Sequence, residues 1–507
     1  MEVETQTPLI SDPTPEPKAS PTKSEPNLSI LFESGRASVA DKFGIDPWPT
    51  SALGISQSKS PPASWYFDPA VFKLETSTVF AKGWQVIGRV DQLPVNAPTG
   101  TYFTYQLGSA FNLIITRDKN NELNAFHNQC RHRAMELVQD PNDANQKNQK
   151  NSWSRAFKSK RDKKKNGGKG DTFRTVGCDT GVVSNASLSC PYHGWEYDLD
   201  GSLTKIPKLS GTENFDIEKN GLKKVEVTEW GGFIWAHLGG KVEWDTKESN
   251  STPPCTKTSA FSTNTPTTHT SNNPRKHPPA FIDDWLGAGG DWMKHSNVLD
   301  PNLVFVTKRT YSLNCNWKVF VDNFLDGGYH VSVAHPELTE GIYMGSYQTE
   351  VEGTMTKQTV TEKSNSNINS VTKNPMSTEL TQDGWIPTDE LLTQENTKSS
   401  SYFFVYPNFM LNRYGAWVDT NLVTPTGPTS CTVTFEYFVE KSKSNDVNFI
   451  IESLAASDLV QQQDVELCEK VQRGIASPGY EPGRYVAVEH AMYGFHRGVW
   501  ENMTDDV

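Results

Sequence analysis

The sequence predicts an α+β chain: an antiparallel β domain over residues 63–242, then a second domain over 281–507 that carries helices as well as strands. Three patterns lead to this. Trp84-Gln-Val-Ile-Gly, Tyr102 to Tyr105, Phe111-Asn-Leu-Ile-Ile-Thr and Gly232-Phe-Ile-Trp-Ala-His-Leu are short β-branched and aromatic runs, broken by Asp, Asn, Pro and Gly. After Asn316, the residues Trp317, Phe320, Val321 and Phe324 recur at three- and four-residue steps, the period of a helix. Asp446 to Ser477 reads as one long helix, with Val460, Asp464, Leu467 and Val471 on a single face.

Length and composition bound the rest. A chain of 507 residues holds about two domains. A net charge of -12 and a pI near 5.5 argue against nucleic acid or an anionic membrane as the main partner. No apolar run approaches the ~18 residues of a membrane span. Seven cysteines, an odd number without disulfide-rich spacing, read as free thiols or ligands in a soluble intracellular protein. Residues 1–62, rich in Pro, Ser and Thr, read as a disordered tail. It has no apolar segment of a secretory signal, and Glu2, Glu4, Asp12, Glu16 and Glu25 argue against a transit peptide. With no clear targeting signal, cytoplasm and plastid both stay open. A lysine-rich insertion at 138–181 reads as a solvated loop, with docking of an acidic redox partner as the alternative. Residues 243–280, dense in Ser, Thr, Asn and Pro, read as a flexible linker.

The strongest chemical signal is a pair of pairs, Cys130-Arg-His132 and Cys190-Pro-Tyr-His193. Two thiolates and two imidazoles suit a structural zinc. They also suit a two-iron two-sulfur cluster with both thiolates on one iron and both imidazoles on the other, an arrangement that raises the reduction potential. Both pairs follow strand-like runs, and Pro191 and Gly194 shape a tight loop, so context favours the cluster. The string Cys190-Pro-Tyr-His-Gly-Trp195 strongly resembles the Rieske signature. The gap between His132 and Cys190 is longer than Rieske domains usually have, but lengthening a surface hairpin adds little closure entropy. His127 and Cys178 break the spacing and are left as non-ligands.

A second metal site is predicted downstream. His330-Val-Ser-Val-Ala-His335 follows the helix pattern after Gly327-Gly328. Positions five apart lie ~140° apart on an ideal helix, so these imidazoles converge only if the helix is distorted, which paired glycines permit. H-x4-H is weak alone; beside the cluster motif it points to a mononuclear iron completed by a carboxylate. Asp464 is the candidate, since an acid inside an apolar stripe must be paired or bind metal. Pairing with a lysine or arginine is the alternative. Two imidazoles and a carboxylate leave positions on ferrous iron open for dioxygen and substrate.

Along most of residues 63–500 the chain resembles the plant-type choline monooxygenases, which are Rieske oxygenases. The strings that carry this are Ser64-Trp-Tyr, Gly83-Trp-Gln-Val, Ala125-Phe-His-Asn, Cys190-Pro-Tyr-His-Gly-Trp and Gly201-Ser-Leu-Thr-Lys. Asn316-Trp-Lys-Val-Phe, Asp322-Asn-Phe-Leu-Asp-Gly-Gly-Tyr-His-Val, Tyr406-Pro-Asn-Phe, Asn412-Arg-Tyr-Gly and Leu467-Cys-Glu-Lys-Val-Gln-Arg-Gly continue it. The resemblance implies a Rieske domain ahead of a helix-grip-like catalytic domain, an antiparallel sheet wrapped on the long C-terminal helix. It implies Cys130, His132, Cys190 and His193 as cluster ligands, with His330, His335 and Asp464 on the mononuclear iron. It also implies a homotrimer in which one subunit's cluster serves its neighbour's iron. Many Rieske oxygenases place a bridging acid three residues before the first iron histidine; that position is Gly327 here, so Asp326 is expected to take the role.

A quaternary ammonium has no donor and is best held by aromatic faces. Phe404 and Tyr406, alternate residues of an aromatic-rich strand, are the expected contacts, ordinary core packing being the alternative. The resemblance implies hydroxylation of choline to betaine aldehyde hydrate, with dioxygen and electrons from reduced ferredoxin or a reductase, toward glycine betaine. N-demethylation or hydroxylation of glycine betaine or carnitine is a second reading. A Rieske electron carrier without oxygenase activity is a third, opposed by the second metal motif and the large second domain.

Overall fold

The computed structural model describes residues 45, 46, 48, 53–108, 110–140, 180–239, 280–363 and 398–504. The bulk of the expected insertion, the linker at 243–279 and most of the expected tail lie outside these residues. Within 1–62, however, the described residues are packed. Ile45 and Trp48 are buried, and the Trp48 ring meets Trp65 and Tyr493 while its Nε1 donates to the Lys59 carbonyl. Lys59 also bridges to Arg484, so disorder up to residue 62 is corrected at these positions. One aliphatic and one aromatic anchor, Ile45 and Trp48, outweigh a polar composition.

The first domain opens with α1 (Pro69–Thr78), N-capped by the Asp68 side chain on the Ala70 N–H. Its strands are β1 (Trp84–Arg89), β2 (Thr101–Leu107), β3 (Phe111–Arg117), β4 (Leu123–His127) and β5 (Gly181–Val182). Then come β6 (Ser187–Ser189), β7 (Glu196–Asp198), β8 (Leu203–Lys205), β9 (Lys224–Trp230) and β10 (Phe233–His237). They make an antiparallel sheet in the order β1-β10-β9-β4-β3-β2-β5 and a small one, β6-β7-β8. β3 shows why its apolar run is continuous rather than alternating: both faces are covered. Leu113 and Ile115 enter the main core, while Ile114 enters a separate core with Cys130, Cys190 and Tyr197. The cysteine loops therefore sit on one face of this domain, over their own apolar support.

The second domain begins at α2 (Ala280–His295) and holds a seven-stranded antiparallel sheet. Its strands are β11 (Val304–Leu313), β12 (Ile342–Glu352), β13 (Met355–Glu362), β14 (Ser399–Val405), β15 (Phe409–Tyr414), β16 (Trp417–Gly427) and β17 (Ser430–Val439). The spatial order is β11-β17-β16-β15-β14-β13-β12. One face packs against the first domain: Phe409, Leu411 and Val418 join Trp84, Phe233 and Trp235 in a shared core. The other face is covered by α3 (Trp317–Leu325), α6 (Val447–Ile475) and α7 (His490–Thr504), with one-turn helices α4 (Val331–Ala334) and α5 (Pro336–Thr339) between. The alternation Cys431, Val433, Phe435, Tyr437, Val439 along β17 faces this helical side. The long helix thus lies on the sheet as a helix-grip fold requires.

The predicted buried stripe of that helix is corrected. α6 buries Asp464, Cys468, Gln472 and Ile475, while Val471 is exposed. Asp464 keeps its place, and Cys468 and Ile475 beside it enter the hydrophobic core, while Gln472 is buried for polar contacts: its side chain accepts the Asn316 N–H and donates to the Tyr66 carbonyl.

Candidate active site

Two loops of matching geometry carry the cluster motif. In each, the cysteine N–H donates to the carbonyl five residues on, Met135 for Cys130 and Trp195 for Cys190. In each, the residue four on returns its N–H to the cysteine carbonyl from a left-handed conformation, Ala134 at φ 55° and Gly194 at φ 72°. The result brings His132 and His193 together edge to face, Nδ1 to Nδ1 at 3.1 Å, both exposed, with both cysteines buried beneath. Burial pushes the Cys190 thiol up, offset in part by the His193 and Tyr192 N–H groups aimed at its sulfur. The donors resolve into a sulfur pair and a nitrogen pair, and they do not gather three within 4.8 Å as one mononuclear ion would ask. That division fits a two-iron cluster better than zinc.

Sequence reasoning missed two residues of this site. Tyr197, on β7, accepts the Arg131 N–H (3.0 Å), which turns its own proton toward the Cys130 sulfur at 3.3 Å. Trp195 stacks on His132 at 5.0 Å between centroids. Only position, five and seven residues past Cys190 at the start of the strand that follows, would have flagged them.

The second site forms where α3 stops. Asn316 caps its start through the Lys318 N–H, and Asp326 sits at its end. Gly327 (φ 71°) and Gly328 (φ 75°) then reverse the chain, and side chains there would strike the Val488 carbonyl and the Tyr347 ring. His330 and His335 flank the single turn of α4, so the expected distortion is a full break followed by a new turn. The result meets the sequence argument: ligand atoms of His330, His335 and Asp464 lie within 4.8 Å of one another. His335 Nε2 stands 3.0 Å from Asp464 Oδ1, and His330 Nε2 3.7 Å from it.

The surroundings fix both imidazoles. His335 Nδ1–H donates to Gln463 Oε1 (2.7 Å), and His330 Nδ1–H donates to Asp326 Oδ2 (2.6 Å), leaving each Nε2 lone pair free toward Asp464. Burial pulls the His335 pKa down, but the Asp464 and Gln463 hydrogen bonds outweigh it and leave it raised. Asp464 also accepts from Asn323 Nδ2 at 3.3 Å and has no lysine or arginine partner among the described residues. The arrangement is a facial set with open sides, suited to ferrous iron. Asp326 is more than a neighbour of His330, since its oxygens also accept the Gly328, Tyr329 and His330 N–H groups.

Phe404 and Tyr406 do share a side, both packing on Phe495 of α7. There they are core residues, buried, with the Tyr406 hydroxyl taken by Asn502. α7 seals them, so the substrate contacts expected of this pair are corrected.

Comparison with known proteins places both domains in known families. Residues 83–152 and 173–216 match the Rieske [2Fe-2S] domain family, the break falling inside the expected insertion. Residues 299–505 match the family described as ring hydroxylating alpha subunit (catalytic domain). The chain is 34% identical to the choline monooxygenase of Arabidopsis thaliana, over 88% of this chain and 83% of that one. The enzyme of that name from Spinacia oleracea is 30% identical over 93% and 83%. The glycine betaine monooxygenase oxygenase subunit of Chromohalobacter salexigens is 25% identical over 84% and 81%. In fold, the chain resembles a quaternary ammonium Rieske monooxygenase bound to L-carnitine, with a TM-score of 0.59 and 19% identity over 90% of this chain and 99% of that one. Identity of this order across nearly the full length of both chains is kinship, and the chain belongs to the choline monooxygenase family of Rieske non-haem iron oxygenases, whose cofactors are a two-iron two-sulfur cluster and a mononuclear iron.

Proposed function

We propose that the chain hydroxylates choline at the carbon bearing its alcohol. Choline, dioxygen, two electrons and two protons give betaine aldehyde hydrate and water, the electrons coming from reduced ferredoxin. What carries this reading is the gradient among relatives: 34% identity to a plant choline monooxygenase against 25% to a glycine betaine monooxygenase subunit, over similar spans. The chloroplastic relatives favour a plastid location; among the described residues, no helix is long and apolar enough to cross a membrane.

In this reading Cys130 and Cys190 would hold one cluster iron, and His132 and His193, whose Nδ1 atoms face each other, would hold the other. His330, His335 and Asp464 hold the mononuclear iron. Bound there, the cluster supplies single electrons and the iron supplies oxygen activation. The protein's own part is orientation: Gln463 and Asp326 keep the two Nδ1 protons in place, so both Nε2 atoms stay available. Asp326 is the residue proposed to link the centres, because it grips His330 on the side away from Asp464. Asp326→Asn should keep a reducible cluster and lose most turnover; unchanged turnover would rule the link out.

The test is anaerobic reconstitution with iron, then quaternary amines with reduced ferredoxin while oxygen uptake and products are followed. Betaine aldehyde from choline is the expected product. Formaldehyde from glycine betaine or carnitine, with choline inert, would replace this reading by demethylation.

A further inference from the structure

We propose that Asp419 is the counter-ion for the substrate's quaternary ammonium, on a sheet floor bracketed by the two helices that position the iron ligands, and that it disfavours substrates carrying a carboxylate. This rests on the quaternary-amine reading and adds a residue and a selection rule to it.

Strand register sets Gln358, Tyr402, Asn412, Asp419 and Tyr437 in one row across β13, β14, β15, β16 and β17. One end of the row meets α3, where Gln358 Nε2 donates to the Phe324 carbonyl at 2.9 Å, beside the Asn323 that bonds Asp464. The other end meets α6, where the Tyr437 and Ser457 hydroxyls lie 3.1 Å apart, about two turns before Asp464. The row therefore runs beneath the two helices, on the face that the Trp417–Phe449 stack also marks as helical.

Asp419 is 4% exposed and accepts hydrogen bonds from Tyr414 (2.6 Å), Asn412 (2.8 Å) and Asn421 (2.8 Å), all neutral groups. Among the described residues no lysine, arginine or histidine forms an ion pair with it. The guanidinium that touches the row, Arg309 against Tyr437, pairs with Asp458 instead. A buried carboxylate with no opposite charge is expensive, and a cation placed beside it removes the penalty. Burial pushes its carboxyl above the usual range, although the Tyr414, Asn412 and Asn421 hydrogen bonds pull the other way.

A second observation on the same face is independent of charge. Asn412 Oδ1 and Trp417 Nε1 are buried and have no hydrogen-bond partner, in residues 6% and 4% exposed. Of these, Asn412 Oδ1 is an acceptor on the residue that already bonds Asp419, and it can take the proton of an alcohol group. Tyr402 and Tyr414 remain partly accessible although they stand on the covered face of the sheet. Burial pushes the Tyr402 phenol up to about 12, so it offers a neutral ring to a cation. A cationic alcohol fits this set. A zwitterion would bring its carboxylate toward Asp419, and like charges in such a place repel strongly.

Calorimetric titration of the anaerobic holoenzyme tests this with tetramethylammonium, choline, glycine betaine and the neutral isostere 3,3-dimethylbutan-1-ol. Wild type should bind choline at least about tenfold tighter than the neutral alcohol. Asp419→Asn should weaken choline and tetramethylammonium at least about tenfold, and narrow the gap between choline and glycine betaine, with iron content and cluster absorption retained. A variant that binds both cations like wild type overturns the proposal. So does wild type that fails to prefer choline over its isostere, a measurement that needs no variant to fold. Wild type that binds tetramethylammonium through Asp419 yet neither binds nor oxidises choline would refute the choline reading and leave the counter-ion standing.

Discussion

Tyr197 touches the cluster motif without being a ligand, and its geometry gives it a definite electrical effect. The Arg131 N–H occupies the hydroxyl oxygen, so the phenolic proton is committed to the Cys130 sulfur. Burial pushes the phenol's pKa up, so that proton stays in place at neutral pH. A hydrogen bond to a cluster sulfur favours the more negative, reduced state. Taken at about 1 kcal/mol, it is worth about 40 mV in a one-electron couple. Tyr197→Phe should therefore lower the reduction potential by about that amount, read by a spectroscopic redox titration. An unchanged midpoint with the cluster intact would remove Tyr197 from the account.

Among elements, α1 and α3 are tied by a buried ion pair that reaches from the first domain to the base of the iron site. Glu75 of α1 binds Lys318 Nζ with one oxygen and Trp317 Nε1 with the other at 2.9 Å, and the side chains of the pair are 0% exposed. Burial lowers the Lys318 pKa, and Glu75 offsets this only in part. Removing one partner strands the other charge, so Glu75→Ala should lower stability by about 3–5 kcal/mol, and Glu75→Ala with Lys318→Met should recover part of it. Denaturant unfolding of the two variants decides; a double variant no better than the single one would contradict the pairing. The same elements show what a sequence discloses. Cys130, His132, Cys190 and His193 lie within two short strings whose spacing points to a site, whereas the His330–His335 spacing is weak alone and gains weight only from the cluster motif beside it. Asp464 could be found only through the period of α6, and the stripe inferred around it was rotated, because Gln472 is buried for polar contacts that hydrophobic patterning ignores. The face shared by Phe404 and Tyr406 was legible from alternation, but its cover by α7 depends on tertiary packing. The floor around Asp419 takes one residue from each of five strands, so no local pattern announces it.

At the scale of the whole molecule, both redox edges face outward. His132 and His193 are exposed beside Tyr192 (62% exposed), while Tyr329 (58%) just before His330 and Val333 (85%) in the turn between His330 and His335 are also exposed. Large apolar groups left open next to electron-transfer sites suit contact between subunits. The proposed trimer makes this a matter of counting. If electrons cross between neighbours in a ring, a chain lacking only the cluster and a chain lacking only the mononuclear iron can complete each other. Co-expressing Cys130→Ser with His330→Ala in equal amounts leaves about one junction in four with an intact cluster facing an intact iron site. Activity near a quarter of wild type is then expected, against background levels for either variant alone. If electrons stay within one chain, every mixed trimer is as dead as its parents, and no turnover above background would show it.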